Sequence, residues 1–129
     1  YPSGIQAIVA PKELNRSEQI AYCESEYLWH VDTMPMRINK TQSMLITPRA
    51  DNLSVSMYVH CEAGCDRTGE FVADYRLMYM DGNVTTDYDL DCSECGRCPD
   101  YWSTTAIEWF CLCHQFGTLQ PPQSWGDCV

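Results

Sequence analysis

Residues 60–69 read His-Cys-Glu-Ala-Gly-Cys-Asp-Arg-Thr-Gly and hold the residue types of this chain that are best suited to chemistry. Cys61 offers a thiol, and Arg67 offers a planar guanidinium that can bind two oxygens of an anion at once. An apolar, alternating run precedes this motif and a helical run follows it. Attack on a phosphate monoester needs a thiolate, a ring of backbone amides and one arginine. The motif therefore predicts a phosphate-binding loop with a cysteine nucleophile.

The motif resembles the phosphate-binding loop of the cysteine-based tyrosine and dual-specificity phosphatases, in its His-Cys, five-residue and Arg-Thr-Gly pattern. The resemblance implies that Cys61 is the nucleophile, that Arg67 grips the phosphate and that His60 orders the loop. Thr68 is expected to hydrogen-bond the Cys61 sulfur and help it leave when the phosphoenzyme is hydrolysed. The backbone amides expected to bind phosphate belong to Glu62, Ala63, Gly64, Cys65, Asp66 and Arg67.

The resemblance also implies a general acid, which in this family is an aspartate roughly thirty residues before the cysteine. Asp32 lies 29 residues before Cys61, at the end of a predicted strand, and is the candidate. The alternative is an ordinary strand-end or capping aspartate. The acidic residues Glu62, Asp66 and Glu70 favour a phosphotyrosine or a small aryl phosphate over highly charged phosphoinositides, because carboxylates repel anions.

The apolar pattern predicts an α/β fold, with a compact and mostly parallel sheet and helices on both faces, in one domain over residues 1–129. Strands are predicted at 5–9, 27–31 and 54–60, and helices at 12–22, 41–46, 68–80 and 104–116. Other segments are predicted to be a loop at 32–40, an irregular cysteine-rich loop at 81–102 and a tail at 117–129. The order of elements resembles a compact dual-specificity phosphatase over roughly residues 4–116.

The net charge of −10 argues against nucleic acid and anionic membrane surfaces as partners, since both attract basic proteins. No apolar run is long enough to span a membrane. The expected partners are a phosphate monoester or another anion at the loop, N-glycans and further copies of this chain. No cofactor and no metal are expected.

All four asparagines lie in Asn-x-Ser/Thr sequons, which predicts a secreted or lumenal protein with N-glycans at Asn15, Asn39, Asn52 and Asn83. The nine cysteines also favour an oxidising compartment. If Cys61 stays free, the other eight can form four disulfides; if Cys61 is oxidised, another thiol is left over or bridges two chains. For Cys92, Cys95 and Cys98 a local disulfide knot with the last helix is favoured over zinc, because a fourth ligand at a standard spacing is missing.

Two functions from different classes follow. The first is a phosphomonoesterase of the cysteine phosphatase type that works through a Cys61 phosphoenzyme, with Asp32 as its acid. The second is a catalytically inactive, glycosylated structural or binding protein on the same fold, including a subunit of an extracellular polymer. A free Cys61 favours the enzyme, and a bridged Cys61 favours the scaffold.

Overall fold

The structure is a computed structural model that describes residues 9–24, 33–116 and 125–129. A 3₁₀ turn, Pro11–Glu13, precedes the first of five α-helices in these residues. The helices are α1 (Arg16–Glu24), α2 (Met34–Ile46), α3 (Arg67–Tyr79), α4 (Val84–Cys95) and α5 (Tyr101–Phe116). Helix α5 packs against α1, α3 and α4, and α3 packs against α2, α4 and α5, so α3 and α5 form the centre.

Local signals set the ends of these helices. Asn15 and Glu18 form a reciprocal capping box at the start of α1, with N···O distances of 2.8 and 3.1 Å. The Asn83 side chain accepts hydrogen bonds from the amides of Thr85 and Thr86 and so caps α4. That helix ends at Gly96, whose φ of 79° is the left-handed conformation that glycine adopts without strain.

The core lies around α5, whose second half is buried on every side. Trp109 is fully buried, stacks on Tyr22 of α1 with 4.2 Å between ring centroids, and donates its indole N–H to the carbonyl of Val9 at 2.8 Å. Ile38 of α2 and Leu77 of α3 extend the same apolar cluster towards the other side of the molecule. A stretch of helix that is buried on all sides has to be surrounded by other elements, and residues 109–114 of α5 form such a stretch.

The predicted α/β fold is wrong. Helix accounts for 64% of the described residues, and they contain no strand. The run 54–60, predicted as a central strand, lies in coil with most of its residues exposed, and Tyr58 is 87% exposed. Alternation shows a strand only where neighbouring strands pair with it, and no such neighbour exists among the residues described. The other two predicted strands, 5–9 and 27–31, lie outside the described residues except for Val9, which is coil.

The predicted helices agree with the structure better than the predicted strands do. The helices predicted at 68–80 and 104–116 are confirmed as α3 and α5, although α5 begins three residues earlier. The predicted loop at 32–40 is wrong from residue 34 onward, because α2 starts at Met34 with Pro35 in its first turn, where proline fits a helix. The segment 81–102 is not irregular, since it contains all of α4. Asn83 caps this helix and Gly96 ends it, and both are ordinary helix signals within a segment of acidic, cysteine-rich composition.

Four disulfides tie these helices together, and all nine cysteines lie in described residues. The pairs are Cys23–Cys113, Cys65–Cys95, Cys92–Cys98 and Cys111–Cys128. The predicted knot between the 81–102 segment and the last helix is wrong, because the cysteines of α5 pair with α1 and with the C-terminal residues instead. Cys128 joins the C-terminal residues to α5.

Candidate functional site

Cys61 is the single free cysteine of the chain, and its thiol is partly exposed. Its sulfur accepts the Gly64 amide N–H, with 3.2 Å between N and Sγ. The pKa of the Cys61 thiol is lowered to about 7, chiefly by the Thr68 hydroxyl and further by the amides of Thr68, Gly64 and Ala63, against an opposing effect of burial. About half of the thiol is therefore thiolate near neutral pH, which is the nucleophilic form.

The hydroxyl of Thr68 makes the largest contribution to lowering the pKa of the Cys61 thiol. Its Oγ1 is buried and makes no hydrogen bond of good geometry with any described group, although it lies close enough to Cys61 to be the main influence on its pKa. A buried hydroxyl without an acceptor is costly, so a negatively charged sulfur beside it supplies the acceptor that it lacks. The role predicted for Thr68, a hydrogen bond that helps the sulfur leave, stays a prediction.

The loop between these two residues is shaped by its backbone. Gly64 has φ = +80°, and nothing would obstruct a Cβ there, so the left-handed conformation alone explains a glycine at this position. Helix α3 begins at Arg67, immediately after the loop. The amide of Thr68, in the first turn of α3, then points at the sulfur, and the helix dipole adds to the stabilisation of an anion at this place.

Two clefts flank the start of α3 and meet at Thr68. The first, which we call the carboxylate cleft, has a volume of about 270 Å³ and is lined by the loop residues Ala63 and Gly64 together with Asp91 and Glu94 of α4. The second, the arginine cleft, has a volume of about 260 Å³. Its lining includes Arg37, His60, Arg67, Glu70 and the apolar residues Met34, Val59 and Phe71.

The predicted site residues are therefore only partly assembled. Arg67 and His60 line the arginine cleft, while the amides that contact the Cys61 sulfur belong to the loop and to Thr68. His60 is exposed and stacks on Tyr58, with 5.2 Å between ring centroids. Asp32 lies outside the described residues.

The remaining loop residues have different surroundings. Glu62, Ala63 and Gly64 are exposed. Cys65 is buried and bridged to Cys95, which fastens the loop to α4. The carboxylate of Asp66 accepts hydrogen bonds from Arg97 and from the Asp100 amide, and its pKa is lowered, mainly by Arg97.

Two residues beside the loop were not predicted from the sequence, Asp91 and Arg97. Asp91 lines the carboxylate cleft with a carboxyl whose pKa is raised to about 6, chiefly by burial. Arg97 is the cation that holds Asp66, and its own pKa is raised, first by that hydrogen bond and to a smaller extent by charges that include Cys61. The sequence signal that could have indicated them is their position within or next to the cysteine cluster 92–98. Disulfides in such a cluster fix the neighbouring side chains in place.

The sequons differ in accessibility. Asn15, Asn39 and Asn52 are exposed. Asn83 is half-buried, its Oδ1 caps α4, and its Nδ2 lies against Gly126 so closely that a Cβ on that glycine would collide with it. A glycan attaches through Nδ2, so the atom that would carry one at Asn83 lies against Gly126.

Neither metal binding nor a membrane span receives support from these residues. Cys92, Cys95 and Cys98 are all in disulfides, so their sulfurs are not thiolate ligands. Over 9–24, 33–116 and 125–129 no group of three or more His, Cys, Asp or Glu side chains is arranged to hold a metal ion. No described helix is long and apolar enough to cross a membrane.

Comparisons with protein-family models, with curated proteins and with solved structures find no match to this chain. What the protein does therefore has to be inferred from the residues of the site. Four disulfides are typical of proteins from oxidising compartments, which fits an extracellular or lumenal setting.

Proposed function

We propose that this protein is a phosphomonoesterase of the cysteine phosphatase type, which works through a phosphoenzyme at Cys61. The observation that carries the proposal is the environment of that thiol: three backbone amides and the Thr68 hydroxyl lower its pKa to about 7. Eight of nine cysteines are oxidised while this one is free, which favours the enzyme over a scaffold whose thiols are all used in bridges. The proposal rests on this local geometry and not on a shared fold.

In the proposed reaction a phosphoryl group lies at the start of α3, where the two clefts meet at Thr68. The amides of the loop and the dipole of α3 stabilise its oxygens, and the Cys61 thiolate attacks phosphorus. Arg67 approaches from the arginine cleft, where Arg37 adds a second guanidinium. Thr68 then stabilises the departing thiolate when water hydrolyses the phosphoenzyme.

The arginine cleft favours an aryl phosphate as the substrate. Its lining combines the two arginines with the apolar side chains of Met34, Val59 and Phe71, which suit an aromatic ring. Its volume of about 260 Å³ is that of a pocket for a small group. We therefore propose phosphotyrosine-like or small aryl phosphates as substrates, acting in an oxidising extracellular or lumenal compartment.

Hydrolysis of 4-nitrophenyl phosphate by natively purified protein, without reductant, tests the proposal. Turnover is expected in the wild type and should vanish in Cys61→Ser, which keeps a hydrogen-bonding side chain but loses the thiolate. Arg67→Lys should weaken substrate binding, because lysine replaces a two-point grip with a point charge. Arg49→Lys is the matched control, since Arg49 is an exposed arginine that is paired with Asp51 and lines neither cleft.

Two results would contradict the proposal. The first is a wild type without turnover, even after mild reduction. The second is turnover that survives in Cys61→Ser. Activity that appears only after reduction would mean that Cys61 is bridged in the native protein, contrary to its free state in this structure.

One observation favours the second function, a structural or binding protein. The segment 53–60 makes no backbone–backbone hydrogen bond to other described residues and exposes Leu53 and Tyr58. A coil segment without backbone pairing to the described residues can pair with another chain. Under this alternative, sedimentation would reveal self-association that Tyr58→Lys reduces, and the phosphatase assay would be negative.

A further inference from the structure

Asp91 contributes a carboxyl to the lining of the carboxylate cleft. The reaction described above assigns no role to this carboxyl. Its side chain is 5% exposed, and it lines the cleft together with Ala63, Gly64 and Thr68. One oxygen, Oδ1, accepts a hydrogen bond from Arg76 Nη1 at 3.0 Å. The other, Oδ2, is buried and has no hydrogen-bond partner among the described residues.

The same carboxyl abuts the first turn of α3. A Cβ on Gly69 would lie 3.5 Å from Asp91 Oδ2, so this oxygen is in contact distance of the helix start that carries Thr68. The Cys65–Cys95 disulfide holds α4 against the loop on the same side. The orphaned oxygen thus lies against the first turn of α3, and its side chain lines the same cleft as Ala63, Gly64 and Thr68.

The charges around Asp91 allow it to carry a proton. Burial raises its pKa to about 6, the nearby Arg76 on α3 opposes that rise, and Glu94 and Asp87 on α4 add to it. Because Oδ1 is taken by Arg76, the proton belongs on Oδ2. A buried O–H without an acceptor costs free energy, and a substrate oxygen that accepts its hydrogen bond would remove this cost.

We propose that Asp91 is the general acid of phosphoryl transfer at Cys61, an inference that rests on the proposed function. The Cys61 thiolate forms a bond to phosphorus, the bond from phosphorus to the leaving oxygen breaks, and its electron pair takes the Oδ2 proton. The Asp91 carboxylate then accepts a proton from the water that attacks the phosphoenzyme. The S–P bond breaks, the sulfur leaves as a thiolate, and inorganic phosphate is released.

This assignment has a defined pH signature. The reaction needs the Cys61 thiolate, which is lost below about pH 7, and the protonated Asp91, which is lost above about pH 6. The two required forms coexist in only a minority of molecules, at a pH between these two values. The rate should therefore follow a narrow bell, and its alkaline limb should belong to Asp91.

Leaving-group dependence separates an acid from a structural residue. Phenyl phosphate releases phenol, whose pKa of about 10 resembles that of tyrosine, and it needs protonation. 4-Nitrophenol is a much more acidic leaving group and needs little help. Asp91→Asn should slow hydrolysis of phenyl phosphate by about 10²- to 10⁴-fold, leave 4-nitrophenyl phosphate far less affected, and remove the alkaline limb of the profile.

Asp87→Asn is the matched control. Asp87 lies one turn earlier on α4, is 5% exposed, and has its pKa raised chiefly by burial. Its Oδ2 also lacks a hydrogen-bond partner among the described residues, but it packs against Gly82 and does not line the cleft. The Asp87→Asn enzyme should keep the wild-type ratio between the rates for the two substrates, because loss of the Asp87 charge lowers the pKa of Asp91 but leaves the proton donor in place.

The outcomes distinguish this inference from the proposed function. A wild type without Cys61-dependent turnover would contradict the proposed function itself. Cys61-dependent turnover that Asp91→Asn leaves unchanged, or reduces equally for both substrates, would overturn the role of Asp91 alone. A leaving-group-dependent loss in Asp32→Asn instead would return the acid to the residue that the family resemblance implied.

Discussion

The Arg97 guanidinium and the Asp66 carboxylate form a two-point ion pair, with Nη1–Oδ1 at 2.8 Å and Nη2–Oδ2 at 2.6 Å. The same carboxylate accepts the Asp100 amide at 2.9 Å, so it joins the start of α3 to the start of α5. Arg97 is held in this place by disulfides on both sides, Cys65–Cys95 and Cys92–Cys98. A cation that interacts electrostatically with Cys61 is thereby held in place.

Arg97→Gln should raise the pKa of Cys61, because it removes a positive charge that is electrostatically coupled to the thiolate. The rate of Cys61 alkylation by iodoacetamide across pH measures this pKa. Arg49→Gln is the control, since Arg49 forms a similar pair with Asp51 elsewhere on the surface. Equal alkylation profiles for Arg97→Gln and the wild type would show that Arg97 does not act on the thiol.

Thr68→Val should have a larger effect on the same measurement. Valine keeps the shape of threonine but lacks the hydroxyl that contributes most to lowering the pKa of Cys61. A rise of one pKa unit towards the ordinary thiol value would slow alkylation about tenfold at about pH 6.5. Thr68→Ser retains the hydroxyl and should keep the wild-type profile. A Thr68→Val profile that matches the wild type would remove Thr68 from the site.

Asp91 should make the folded protein less stable as the pH rises from about 4 to about 6. Its pKa is about 6 when folded and about 3.9 when unfolded, so the folded state binds the proton more tightly in that window. Below the window both states are protonated, and above it both are ionised. The loss from this residue is at most about 3 kcal/mol.

Urea unfolding at about pH 4 and at about pH 7 tests this contribution. Asp91→Asn should reduce the difference in the free energy of unfolding between the two conditions. Asp89→Asn changes an exposed aspartate on the same helix and should leave the difference as it is in the wild type. An unchanged difference in Asp91→Asn would mean that its carboxyl titrates normally.

Asn83 should carry no glycan when the protein is produced in a secretory host, whereas Asn15, Asn39 and Asn52 are open to modification. Mass spectrometry of tryptic glycopeptides measures the occupancy of each site. Thr85→Ala destroys the sequon but keeps the cap, so no glycan mass should be lost and stability should not change. Asn83→Ala should cost about 1 kcal/mol, because α4 loses its N-cap. A glycan at Asn83 in folded protein would show that the C-terminal residues move away from it.

Sequence alone determined the features that depend on neighbouring residues in the chain. The spacing from Cys61 to Thr68 placed a thiol just before a helix, and the structure keeps it at the start of α3. The apolar periodicity of 68–80 and 104–116 predicted the two central helices, because a buried helical face leaves a regular mark on the sequence. The cysteine count allowed four bridges with Cys61 left over, and this arrangement is the observed one.

Tertiary structure decided everything that joins distant segments. The alternation of 54–60 could not reveal whether other strands lie beside it, and among the described residues none does. Disulfide pairing is equally non-local, so Cys65 could not be assigned to Cys95 from spacing. The proton on Asp91 depends on burial against α3 and on the opposing charge of Arg76, and neither leaves a mark in the residues next to it. Local pattern can place a nucleophile at a helix start, but the burial and charge that surround it arise only when the helices pack.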